Sequence, residues 1–144
     1  MAFTHLPVHS EYSLLDGACR IEPMLDKIQS MGQTSVAITD HGVMYGVIDF
    51  YKAALKRDIK PIIGCEVYVA PRSRFDKVHG IDNERYHLVL LCKNNEGYKN
   101  LIKLASSVPS ASISSFPIIS LSLSFWKIRS SKPPTNASAI SGAS

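Results

Sequence analysis

Four short segments of this 144-residue chain concentrate histidines and carboxylates: VHSEYSLLDG (Val8 to Gly17), TDHG (Thr39 to Gly42), GCE (Gly64 to Glu66) and YHL (Tyr86 to Leu88). Imidazole nitrogens and carboxylate oxygens in such a mixture suit Zn, Mn or Fe. Delivered from separate strands, they would allow more than one ion. Two metals held ~3.5–4 Å apart can activate a water and stabilise the departing oxygen of a phosphoester. Phosphoester hydrolysis is therefore the natural chemistry of an intact site of this kind.

The candidates differ in what else they could be doing. Asp40 and His41 are adjacent, and an extended strand cannot aim both side chains at one ion, so one ligates while the other supports a neighbouring ligand. His41 is the better ligand. Asp16 either ligates or simply forms the turn that an Asp-Gly pair favours, and both readings stand. His5 and His79 fall outside the pattern and read as ordinary strand or surface residues.

The elements that must position these groups follow from periodicity. Phe3 to Val8 reads as a first strand ending near His9. Ile21, Met24, Leu25, Ile28 and Met31 recur at helical spacing, with Pro23 early and Gly32 as a stop. SVAIT (Ser35 to Thr39) is a β-branched run that suits a buried parallel strand ending at Asp40. Val47, Phe50, Tyr51 and Ala54 mark a second helix. A strand starts at Ile62 and Ile63, is interrupted at Gly64 to Glu66, and resumes through Ala70. Residues 72 to 85 are charged and irregular, an exposed loop. YHLVLLC (Tyr86 to Cys92) is a fourth strand, and Asn94 or Asn95 caps a third helix that buries Tyr98, Leu101, Ile102 and Ala105.

Strands alternating with helices predict parallel pairing through right-handed crossovers, half of an α/β barrel. Such barrels collect their working groups at the carboxyl ends of the strands. His9, Asp40, His41 and Glu66 obey that rule. His87, near a strand's start, does not.

The net charge of +4 invites a nucleic-acid reading that its distribution does not support. Every acid lies at or before Glu96, where acids and bases nearly cancel, and the excess comes from Lys99, Lys103, Lys127, Arg129 and Lys132. Cys19, Cys65 and Cys92 are scattered with no CxxC pair, so neither a disulfide framework nor a zinc ribbon is implied. No run approaches the ~20 apolar residues of a membrane span, and the first residues do not read as a secretory signal, so no membrane is implied and a cytoplasmic location follows by default.

The segments HSEYSLLDGACRI, TDHGVMYGVIDFYKAALKRDIKPIIGCEVYV and YHLVLLCKNNEGYKNLIKLAS resemble the PHP (polymerase and histidinol phosphatase) domain that opens the alpha subunit of bacterial DNA polymerase III. The resemblance runs almost without a gap from residue 3 to 106. It implies a distorted (βα)7 barrel binding divalent metal (Zn, Mn, Mg or Fe) at its strand ends. The ligand candidates carried over by position are His9, Asp16, His41, Glu66 and His87, with Asp40 as neighbour. The family's first motif is His-x-His, and Pro7, which has no side-chain donor, stands at its first position. His5 is two residues earlier on the same face, displaced by roughly 6–7 Å along a strand.

The expected fold class is thus α/β: a partial (βα)7-type PHP barrel over residues 1–106, truncated after about four strands. A Ser-rich tail follows over 107–144. In that tail about a third of the residues are Ser, acids are absent and four prolines break any extended pattern. It is expected to be poorly ordered and resembles an out-of-frame translation, although SFPIISLSLSFW alternates like a strand. The truncated sheet should leave exposed hydrophobic surface.

The resemblance implies a piece of a polymerase III alpha subunit, a DNA-directed DNA polymerase of DNA replication. This chain would carry part of the metal-binding domain and no polymerase active site, and would be inactive alone. The full-length parent would have DNA and other replicase subunits as partners. The alternatives are a free-standing PHP phosphoesterase or 3′-5′ exonuclease, and a non-catalytic scaffold.

Overall fold

A computed structural model of the chain describes residues 3–14, 16–70, 72–73, 75–76, 78–82, 85–106 and 125–128. The elements run α1 (Ile21–Ser30), β1 (Ser35–Ile38), α2 (Val47–Leu55), β2 (Lys60–Val69), β3 (Tyr86–Cys92), α3 (Asn95–Ser106) and β4 (Phe125–Ile128). The strands form one sheet in the order β1-β2-β3-β4.

The helices lie where the apolar spacing puts them. α1 buries Ile21, Leu25 and Ile28, and Gly32 ends it at φ 66° with its N–H on the Gln29 carbonyl, the left-handed cap that glycine adopts at low cost. α2 buries Val47, Phe50, Ala53 and Ala54. In α3 the Asn94 side chain accepts the Gly97 N–H at 2.9 Å, so of the two candidate caps Asn94 is the one used. Leu101 and Leu104 of α3 are buried, whereas Ile102 is 40% exposed and not a core residue.

β1 and β2 pair in parallel, with Val36 opposite Pro61 and Ile38 opposite Ile63, and α2 forms the crossover between them. The residues expected as a first strand lie along β1 but form only one isolated bridge, His5 to Val36. The Ala37 N–H reaches the His5 carbonyl and the Thr39 N–H the Val8 carbonyl, which delivers His9 beside the end of β1.

Two further expectations are corrected. β2 is not interrupted at Gly64 to Glu66 but runs unbroken for 10 residues. Gly64 is needed there for space, since a Cβ would stand 2.6 Å from the Leu90 carbonyl oxygen. Uniform parallel pairing also fails: β3 is antiparallel to β2, with Glu66 opposite Val89 and Tyr68 opposite His87. The cause is the connection. Parallel strands need a long crossover, usually a helix, and no helix is found among the described residues between β2 and β3.

Phe50, Leu25, Val36 and Ile38 anchor a core between α1, α2 and the sheet, and Cys65, Val67, Leu90, Leu101 and Leu104 form a second under α3. Arg57, just after α2, clasps α1 through Glu22 at 2.6 Å and Asp26 at 2.8 Å. α2 also turns Ile48, Tyr51 and Leu55 outward, each about half exposed, a second apolar stripe of the kind expected for an uncovered layer. β4 pairs with β3 through its backbone and shares only Phe125 and Trp126 with the run SFPIISLSLSFW that alternates like a strand. The rest of the Ser-rich tail, 107–124 and 129–144, lies outside the described residues. No helix among the described residues is long and apolar enough to cross a membrane.

Candidate metal centre

The ends of the elements converge on one rim. Beyond Ile38 the β1–β2 ladder continues as an isolated bridge between His41 and Glu66, closed by the Gly42 N–H on the Glu66 carbonyl and the Glu66 N–H on the Asp40 carbonyl. His41 and Glu66 are therefore fixed side by side by backbone bonds. His87 arrives from the opposite direction at the start of β3, and His9 from the segment beside β1.

Glu66 is the hub. Its Oε1 lies 2.7 Å from His87 Nδ1 and 3.0 Å from His41 Nε2, and its Oε2 lies 3.1 Å from His9 Nε2. Asp16 Oδ2 faces His9 Nδ1 at 3.0 Å and also contacts His41 Nδ1. His41 Nε2 and His87 Nδ1 stand 3.2 Å apart. Tyr68 closes one wall, stacked on His41 and edge-on to His87. Tyr12, Ser13, Asp16, His41, Tyr68 and His87 line a cavity of about 420 Å³ in front of the cluster.

These donors form two groups, His9-Asp16-His41 and His41-Glu66-His87, each with its ligand atoms within 4.8 Å of one another. His41 belongs to both, presenting Nδ1 to the first and Nε2 to the second. Burial pushes the Glu66 carboxyl up, but hydrogen bonds from His87, His9 and His41 and the charge of His41 outweigh it, leaving it below the usual range. The Asp16 carboxyl is also held low, first by the Ser13 hydroxyl and then, against some burial, by His41 and His9. Two ionised carboxylates and three imidazoles converging on one rim make a donor set that suits a divalent cation of the borderline class.

Of the sequence candidates, His9, Asp16, His41, Glu66 and His87 come together. The Asp40 carboxylate does not. It is 2% exposed and turned inward, where Oδ1 accepts the Ser10 N–H at 2.6 Å and Oδ2 the Ser10 hydroxyl at 2.8 Å. That opposition to His41 follows from the alternation of an extended chain, and it makes Asp40 a support for the loop carrying His9. Asp16 resolves as both things at once, since its backbone N–H closes the turn on the Ser13 carbonyl while its carboxylate faces the histidines. His5 packs edge-on against Phe3, apart from the cluster, and His79 is exposed.

Residue reasoning from the sequence passed over Ser10 and Ser13, both buried. Ser13 stands three residues before Asp16, and the turn between them lets its hydroxyl reach the Asp16 carboxylate.

Comparison with known proteins supplies the remaining facts. The PHP domain family matches residues 5–128. DNA polymerase III subunit alpha of Treponema pallidum (strain Nichols) is 51% identical over 107 residues, covering 74% of this chain and 9% of that protein. The same subunit from Borreliella burgdorferi is 51% identical over 105 residues, covering 72% of this chain and 9% of that protein. The chain thus spans about a tenth of the length of these curated relatives. A solved structure assigned as a metal-dependent phosphoesterase from Bifidobacterium adolescentis shares the fold. Its TM-score is 0.52 at 15% identity, over 72% of this chain and 32% of that one.

Proposed function

This chain belongs to the PHP domain family, and from that premise we propose that it is the metal-binding amino-terminal portion of a DNA polymerase III alpha subunit, a component of the bacterial replicase. The observation that carries the reading is the convergence of His9, Asp16, His41, Glu66 and His87 from four separate segments. Identity of 51% to two polymerase subunits supports the assignment to that branch. In this reading residues 1–106 are the PHP portion, part of a (βα)7-type barrel, and the Ser-rich segment 107–144 is a tail, although the family match itself extends to residue 128. A replicase role implies a cytoplasmic location, with DNA and other replicase subunits as partners of the full-length protein.

In the proposed site His9, Asp16, His41, Glu66 and His87 hold one or two divalent ions, with Zn, Mn, Mg and Fe all compatible with nitrogen and oxygen donors. Such an ion supplies a water activated near neutral pH and charge stabilisation for a departing oxygen. The protein's own residues do the rest. Glu66, kept ionised, orients three imidazoles through its two oxygens. The buried Ser10–Asp40 pair holds the loop that carries His9. Tyr68 shields one side of His41 and His87 from water.

Pro7 brings no donor to the first position of the site, so binding with little or no turnover is the expected behaviour of this chain alone. The second reading, a phosphoesterase or 3′-5′ exonuclease, is favoured by the survival of five donors on one rim. Elemental analysis of the purified chain, with hydrolysis of p-nitrophenyl phosphate esters and of a single-stranded oligonucleotide, separates the two. Stoichiometric metal without hydrolysis supports the first reading. Metal-dependent hydrolysis that disappears in Glu66→Gln establishes the second. A folded chain that takes up no metal refutes both.

A further inference from the structure

The geometry points to Ser13 as a positioning residue that selects which oxygen of Asp16 is offered to the cluster, an inference that rests on the metal-binding reading above. Ser13 is 1% exposed and its hydroxyl is committed at both ends. It donates to Asp16 Oδ1 at 2.6 Å and accepts the His41 backbone N–H at 3.1 Å. A hydroxyl has one proton to give, and here Asp16 Oδ1 takes it. The other oxygen, Oδ2, is the one that faces both His9 and His41.

The backbone makes Ser13 the centre of its turn as well. Its N–H donates to the Ser10 carbonyl, and its own carbonyl accepts the N–H groups of Asp16 and Gly17. These bonds survive any change confined to the side chain. The His41 backbone is also tied independently, through the bridge to Glu66. Loss of the Ser13 hydroxyl therefore leaves the turn and the β1–β2 ladder in place, frees the Asp16 carboxylate and removes the acceptor of the His41 N–H, two effects that the cycle below separates. The Ser13 hydrogen bond is also the largest influence holding that carboxyl below its ordinary range. Outer-shell groups of this kind typically change metal affinity by ~10–100-fold when removed.

The test is a double-mutant cycle on the full 144-residue chain, stripped of metal and titrated with Co²⁺ alone by calorimetry and by visible absorption. Ser13→Ala is expected to weaken Co²⁺ binding ~10–100-fold and to alter the ligand-field bands. In an Asp16→Asn background the same change should add less than about twofold, because Ser13 acts through that carboxylate. Equal affinity of Ser13→Ala and the parent overturns the inference while leaving the metal site standing. Full additivity with Asp16→Asn also overturns it, since the hydroxyl would then act on the backbone. A parent chain that binds no Co²⁺ overturns both the inference and the reading beneath it. Circular dichroism of each metal-free variant monitors folding. Should Ser13→Ala not fold, Ser13→Cys, which keeps an atom in place but donates weakly, runs the same cycle with the same expected pattern.

Discussion

His87 Nδ1 lies 2.7 Å from Glu66 Oε1 although the two residues are paired with others in the ladder, Glu66 with Val89 and His87 with Tyr68. They meet diagonally across an antiparallel pair, on the same face of the sheet, at the reach such neighbours have. This contact makes Glu66 the point where β2 and β3 are joined to His41 and His9. Glu66→Gln preserves shape but removes the charge and turns one of the two acceptor oxygens into a donor facing an imidazole. Metal affinity should fall by at least the ~10–100-fold that even outer-shell changes cost. Competition for Zn²⁺ against a chromophoric chelator measures it, and wild-type affinity in the variant would remove Glu66 from the ligand set.

The two depressed carboxylates set a pH dependence for the metal-free protein. The ordinary values are 3.8 for Asp16 and 4.5 for Glu66, and both are lower in the folded chain. The unfolded chain therefore binds more protons between the two sets of values, and stability rises with pH there. The contribution is complete above the unfolded values and is lost as pH falls through the folded ones. With chelator present, the melting temperature should be insensitive to these groups above about pH 5.5 and decline below about pH 4.5. Glu66→Gln should remove part of that acid sensitivity. An unchanged acid limb in the variant would show that Glu66 is not held low by its histidines.

The helices and β1 were legible because burial follows the 3.6-residue and β-branched patterns that local sequence carries, as Leu25 and Ile28 in α1 and Val36 to Ile38 in β1 illustrate. Strand direction was not. YHLVLLC reads identically up or down the sheet, and the hints that β3 runs antiparallel were the charged, irregular connection without helical spacing and the place of His87 at the strand's start. His87 looked misplaced at a strand's start for that reason alone. The start of an antiparallel strand lies beside the end of its neighbour.

Side-chain roles within the site were partly legible by the same logic. Alternation predicted that Asp40 and His41 would oppose each other, as they do. What Asp40 does depends on Ser10, 30 residues away, which no local pattern encodes. Ser10 and Ser13 stayed silent because a hydroxyl is chemically unremarkable until its two partners are known. The resemblance across HSEYSLLDG and TDHG pointed to candidate ligands that the fold brings together. The hydrogen bonds between those two segments, from Ser13 to His41 and Ser10 to Asp40, required the fold.

Thiol reactivity tests the frame that carries Glu66 and His87. Cys19 is exposed, whereas Cys65 on β2 is fully buried, where burial pushes its thiol up to about 12, and burial lifts Cys92 on β3 to about 11. The thiolate is the reactive form. At about pH 8 Ellman's reagent should therefore modify Cys19 quickly, half-buried Cys92 much more slowly and Cys65 only after denaturant is added. Rapid reaction of all three in native buffer would mean that the β2–β3 pair opens readily.

Gly17 tests the loop that carries Asp16. A Cβ built there would stand 1.7 Å from the Ser10 carbonyl oxygen and 2.9 Å from Ser13 Cβ. Gly17 is not among the glycines with positive φ, so it is required for space and not for a left-handed backbone. The collision is with main chain, which cannot rotate away, so Gly17→Ala must pry the turn apart at the Gly17 N–H to Ser13 carbonyl bond, now 2.7 Å. Overpacking of this kind costs typically ~1–3 kcal/mol, and here it also moves Asp16 away from His9 and His41. Gly32 provides the control. It has φ 66° and nothing within 4 Å of an added Cβ, so Gly32→Ala should cost about 1–2 kcal/mol of stability through its backbone alone and leave metal binding untouched. Thermal melts and Co²⁺ titrations of the two variants separate the effects. Similar loss of stability with metal affinity reduced only in Gly17→Ala is the expected result, and unchanged affinity in Gly17→Ala would show that the Ser10–Gly17 turn does not position Asp16.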